Sequence, residues 1–188
     1  MAWWPLRKSS IESLSVSMAG VKLGDRLLMV GCTDPILLAQ LAAKTGLTGR
    51  ALAVDEREGV AAAAETIATR EGALVETSSA PWTSLPVESG SFDVAVVRDV
   101  LPHLPAHRRA ACVSEVARAL RPGGRCLVID GGARKGIAAI VGGGSGTAEY
   151  GEQGGPVEIL TSQGFKAARI LAEREGLLFA EAVKPATR

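Results

Sequence analysis

The chain has 188 residues, 47% of them hydrophobic, with a formal net charge of +1. Apolar segments of strand and helix length alternate, which excludes a disordered chain, and the near-zero charge removes the electrostatic case for nucleic acid or an anionic membrane. The length suits a single α/β domain over 1–188 with one full core.

No apolar run reaches the roughly 18 residues of a membrane span. The start, Met1-Ala2-Trp3-Trp4-Pro5-Leu6-Arg7-Lys8, lacks the apolar stretch of a signal peptide. Trp3 and Trp4 could touch a membrane surface or a partner, or could pack on the domain or fray. Cys32, Cys112 and Cys126 are odd in number and far apart, which suits reduced thiols in a cytoplasm rather than a disulfide framework.

Residues 1–24 read as a helical lead-in. Ser9-Ser10-Ile11-Glu12 has the form of a capping box, Ile11, Leu14 and Met18 share a helical face, and Gly20 is a stop. Residues 26–30 are a strand, apolar after Arg26, as expected for a strand covered on both sides. Asp34 suits a helix N-cap and Pro35 the first helical position, with the helix stopping at Gly46.

A second strand, 51–54, ends at Asp55, and an alanine-rich helix runs from about Gly59 to Arg70. Ala73-Leu74-Val75-Glu76 is predicted as the third strand and 77–90 as a loop. Phe92–Val97 is the fourth strand, a helix opens at Pro105, Arg121-Pro122-Gly123-Gly124 breaks it, and Arg125–Asp130 is the fifth strand. Residues 131–155, centred on Gly142-Gly143-Gly144-Ser145-Gly146, read as a mobile glycine-rich loop, either a connector or a lid. A short helix at 157–162 and a hairpin, 168–172 and 177–183 about Glu175-Gly176, close the chain.

Several segments carry a resemblance. Gly31 begins a strand-to-helix turn, the place where a parallel α/β sheet receives a nucleotide-like ligand. Asp55 ends the next strand, near the roughly 20-residue spacing of a Rossmann-type acid. Leu85-Pro86-Val87-Glu88-Ser89-Gly90-Ser91-Phe92-Asp93-Val94 is very like a Leu-Pro-Phe-x-x-x-Ser-Phe-Asp-Val segment. Arg98-Asp99-Val100-Leu101-Pro102-His103-Leu104 and Glu115-Val116-Ala117-Arg118-Ala119-Leu120-Arg121-Pro122-Gly123-Gly124-Arg125 follow in order. Together these resemble class I S-adenosyl-L-methionine (SAM)-dependent methyltransferases of the small-molecule type.

The resemblance implies a Rossmann-like, doubly wound α/β fold. Its sheet has seven mostly parallel strands, the last antiparallel, with helices on both faces. It implies SAM as cofactor and a small-molecule acceptor as substrate. It places Gly31, Cys32, Thr33 and Asp34 in the cofactor turn, Asp55 and Glu56 at the ribose, and Ala80, Pro81 and Trp82 at the adenine, with Trp82 equally suited to core packing. Arg98 and Asp99 fall near the sulfonium. His103 is a candidate general base for acceptors that need one. His103 and His107 share a metal-like spacing, but Pro105 lies between them and no third ligand is evident, so no metal is expected.

The turn also departs from the family pattern of an acid, one residue, then Gly-x-Gly-x-Gly. Met29 stands at the acid position, and Thr33 and Pro35 replace the second and third glycines. Asp34 could repel the carboxylate of SAM or pair with its amino group. Two readings remain: a SAM-dependent methyltransferase with a divergent cofactor turn, or a methyltransferase-fold module that has lost SAM and acts as a binding or scaffold module. A protein partner or homodimer fits either.

Overall fold

The computed structural model describes residues 8–131, 145–174 and 176–186, with side chains from Leu14 onward and, after the glycine-rich stretch, from Glu149. Trp3, Trp4, Glu175 and the glycine cluster at 142–144 lie outside the described residues.

Seven strands form one sheet in the order β3-β2-β1-β4-β5-β7-β6. They are β1 (Arg26–Val30), β2 (Arg50–Asp55), β3 (Glu76–Ser79), β4 (Phe92–Arg98), β5 (Leu120–Gly131), β6 (Lys166–Arg174) and β7 (Leu177–Val183). β1 to β5 pair in parallel, while β7 runs antiparallel to both β5 and β6. The chain therefore has the expected Rossmann-like sheet, with its last strand reversed.

Residues alternate between two faces, as the period-2 geometry of strands requires. Leu27, Met29, Ala53, Val96 and Ile129 pack under helices α1 (Lys8–Ala19), α2 (Pro35–Thr45) and α3 (Val60–Arg70). Leu28, Val30, Val54, Val97 and Val128 pack on the other face under α4 (Ala106–Ala119), α5 (Ser145–Glu152) and α6 (Gly155–Ser162). Burial on both faces explains why β1 and β4 read as unbroken apolar runs.

Three expectations change. The third strand starts at Glu76 rather than Ala73. Gly72, at φ +79°, turns the chain out of α3, and the Ala73 N–H donates to the Ala68 carbonyl, so Ala73 belongs to the helix C-cap. Pairing with β2 begins at Glu76, where Arg50 donates to both carboxylate oxygens at 2.9 and 2.6 Å. β3 is thus a polar edge strand, and the apolar Leu74 beside it is exposed.

The fifth strand begins at Leu120, because Leu120 pairs with Phe92 and the register then slips past Arg121–Gly124. The segment 131–155 is not all loop, since α5 and the start of α6 lie within it. The Tyr150 hydroxyl on α5 donates to Asp130 Oδ2 at 2.9 Å, and its ring joins the core, a tertiary anchor that glycine content does not reveal.

α2 starts as expected. Asp34 Oδ1 accepts the Leu37 N–H at 3.1 Å, and Pro35 follows at the first helical position. Asp34→Ala is expected to lower stability by about 1 kcal/mol in urea denaturation, with Asp34→Asn close to wild type, since Asn also caps. Equal losses in both variants would show that charge rather than capping matters there.

Candidate functional site

The sheet order reverses between β1 and β4, and the crevice beyond their C-terminal ends is where this architecture receives ligands. Gly31 ends β1 at φ +89°, with its N–H donating to the Val54 carbonyl at 2.9 Å. A Cβ there would lie 2.3 Å from the Arg98 carbonyl oxygen, so β1 and β4 close tightly at this point. Cys32 is buried beside it and Thr33 is exposed. Burial first, and then the Asp55 charge, push the Cys32 thiol up to about 12, so it stays protonated.

At the tip of β4, three charged side chains meet. Arg98 Nη1 lies 2.7 Å from Asp99 Oδ2, and Arg98 Nε lies 3.7 Å from Asp34 Oδ2. Asp99 has a positive φ of 49°, a strained conformation for a residue with a Cβ. Its Oδ1 accepts the Gly131 N–H at 2.6 Å, which ties the tip of β4 to the end of β5.

Asp55 ends β2, and its side chain is fully buried. Oδ2 accepts the Cys32 N–H at 2.7 Å and Arg57 Nη2 at 2.5 Å. Oδ1 accepts the Arg57 N–H at 2.9 Å and Arg57 Nε at 2.8 Å. Burial alone would raise this carboxyl, but Arg57 and the two backbone N–H groups outweigh it and hold it below its ordinary range.

Glu56 accepts from Arg108 Nη2 at 2.6 Å and from the Trp82 N–H at 3.2 Å. Trp82 is buried in the core, with the Arg57 guanidinium 5.2 Å from its ring centroid. Ala80 is half-buried and Pro81 exposed. His103 is exposed on a 3-10 turn, Leu101–His103, and His107 is exposed on α4. No cluster of three or more His, Cys, Asp or Glu suited to a metal ion occurs among the described residues.

The structure therefore joins Asp34, Arg98 and Asp99 into one cluster, and Cys32, Asp55, Glu56 and Trp82 into another. Sequence reasoning missed Arg57, whose signal was a cation directly after the acidic pair Asp55-Glu56, and Arg108, which reaches Glu56 from far along the chain. It also missed Asp130, 2% exposed at the end of β5, and its partner Tyr150. Arg109, buried on α4, donates to the Leu101 carbonyl and Gln153 and sits 4.9 Å from the Tyr150 ring centroid.

The profile of a family described as a methyltransferase domain matches residues 28–128, more than half of the chain. Among curated proteins, the chain is similar to a 2-phytyl-1,4-beta-naphthoquinone methyltransferase of Arabidopsis thaliana. The two are 28% identical over 123 residues, which is 63% of this chain and 46% of that protein. An uncharacterized transposon protein of Streptomyces fradiae is 29% identical over 119 residues, 63% of this chain and 34% of that protein. The chain thus spans between a third and a half of the length of these curated relatives. In fold, it is similar to a SAM-dependent methyltransferase from Aquifex aeolicus, with a TM-score of 0.74 and 18% identity, covering 92% of this chain and 89% of that one. No helix among the described residues is long and apolar enough to cross a membrane. The chain belongs to the family described as a methyltransferase domain.

Proposed function

We propose that this chain binds SAM in the crevice between β1 and β4 and transfers its methyl group to a small-molecule acceptor. The observation that carries this reading is the Asp34–Arg98–Asp99 cluster next to Gly31. Two carboxylates against one guanidinium leave net negative charge at the place where a sulfonium and an α-ammonium group would sit, and Arg98 offers a partner for the α-carboxylate. The side-chain-free Gly31 lets β1 and β4 close tightly beneath the crevice. Asp55 is the acid for the ribose hydroxyls, and Ala80, Pro81 and Trp82 flank the adenine end. These residues fit SAM, provided Arg57 vacates the Asp55 carboxylate.

The bound cofactor supplies an electrophilic methyl group on its sulfonium. The chain contributes alignment and charge, and much of the rate then comes from holding the acceptor in line with that methyl. Asp99, tied to both Arg98 and Gly131, fixes the floor of the crevice. His103, on the loop beyond it, is the candidate base for an acceptor that must lose a proton.

The test is calorimetric titration with S-adenosylhomocysteine (SAH). Saturable binding is expected with a dissociation constant on the order of 10–100 μM, about −5.5 to −7 kcal/mol. Asp99→Ala should weaken it about tenfold, the effect of one charge-assisted contact. An intact fold with no binding at millimolar SAH would refute this reading and leave a binding module on the same fold.

A further inference from the structure

Arg57 has no part in holding SAM in the reading above, yet it occupies the centre of the adenosine end. Asp55 is fully buried, whereas the Arg57 side chain is 40% exposed, so the guanidinium is what separates this carboxylate from solvent. Its Nε and Nη2 form a fork onto the two carboxylate oxygens, at 2.8 and 2.5 Å. The Cys32 N–H holds the carboxylate from the inner side. The same guanidinium lies over the Trp82 ring, 5.2 Å from its centroid.

A ribose diol presents two O–H donors at a spacing similar to the two N–H donors of a guanidinium fork. Both need the outward edge of the same carboxylate, and both cannot have it. The adenine meets the same conflict at Trp82, where it would need to displace a cation–π contact. We propose that Arg57 is an internal competitor of the cofactor: it fills the ribose–adenine end of the site in the free protein, and it leaves Asp55 and Trp82 when adenosine docks. This rests on the reading of Asp55 as the ribose acid.

The competition sets the affinity of the site. Binding is weakened by the fraction of molecules in which Arg57 has vacated the carboxylate. The released guanidinium is hydrated in solvent, which offsets part of the lost ion pair, but Asp55 is fully buried, so opening costs more than parting a surface pair. Arg57 thereby favours ligands with two adjacent donors, which can replace both arms of the fork at once, over ligands with a single hydroxyl.

SAH titration of the full chain as wild type, Arg57→Ala and Arg57→Lys tests this. Arg57→Ala is expected to bind SAH about 3–10-fold more tightly than wild type, because the competing contact is gone. Arg57→Lys should fall between the two, since a lysine cannot form the fork. In the wild type, the Arg57 Nε–H resonance should shift and lose protection from exchange as SAH is added. If Arg57→Ala binds no better than wild type while wild type binds, Arg57 is a ligand contact or a bystander, and the cofactor reading stands without this proposal. If none of the three binds SAH and circular dichroism shows intact folds, the assignment of Asp55 to a ribose fails and this proposal fails with it.

Discussion

Gly31→Ala is expected to destabilise the protein by about 3 kcal/mol or more, the sum of a left-handed backbone cost and overpacking. The new Cβ would sit 2.3 Å from the Arg98 carbonyl oxygen and 2.7 Å from Val100 Cγ2, and Gly31 already holds φ +89°. A backbone oxygen in the middle of a sheet cannot step aside. Its strand, β4, is held by Val97 opposite Val30 on one side and Arg98 opposite Ile129 on the other. Gly72→Ala is the control, with φ +79° and nothing within 4 Å of the new Cβ. It carries the backbone cost alone, about 1 kcal/mol. Thermal denaturation should separate the two by roughly 4–8 °C at this chain length. Matching losses would mean that β1 and β4 part easily at this point.

Asp130→Asn is expected to stabilise the protein at pH 8 by about 1–3 kcal/mol and to change little at pH 5. Burial pushes the Asp130 carboxyl up from 3.8 to about 7. The Tyr150 hydroxyl opposes this, the Asp99 charge adds to it, and Arg98 opposes it. Between about pH 4 and 7 the folded protein keeps a proton that the unfolded chain has lost. Folding therefore becomes less favourable as pH rises through that window, and the loss is complete above the folded-state value. Asn carries no charge and still accepts from Tyr150, so the pH dependence between 5 and 8 should flatten in the variant. Urea midpoints across that range measure it, and parallel curves for the two proteins would contradict the assignment.

Most of the fold was legible because its core strands are apolar on both faces and its helices carry local caps such as Asp34-Pro35. β3 was misplaced because Ala73-Leu74-Val75 looks like a strand, whereas the real strand, Glu76–Ser79, is polar and defined by pairing with β2. α5 was hidden because its anchor, Tyr150 on Asp130, spans 20 residues of sequence. At the site, spacing located Gly31, Asp55 and Asp99 at strand ends. It did not show that the Asp55 carboxylate is already engaged, since that depends on the side-chain conformation of Arg57 and not on residue order. Residue order showed Asp34 as the cap of α2 but not that its other oxygen faces Arg98.

The reversed strand β7 has a consequence for how the chain is made. β5 carries the apolar run Cys126-Leu127-Val128-Ile129, and β7 is its neighbour on the side away from β4. β1 to β4 can assemble as soon as they leave the ribosome, but β5 stays unpaired on that side until the hairpin has been synthesised. At roughly 5–20 residues per second, that leaves a sticky apolar edge open for seconds in every nascent chain. Slowing synthesis after Gly131 should therefore divert more chains into aggregates than slowing it before Leu120.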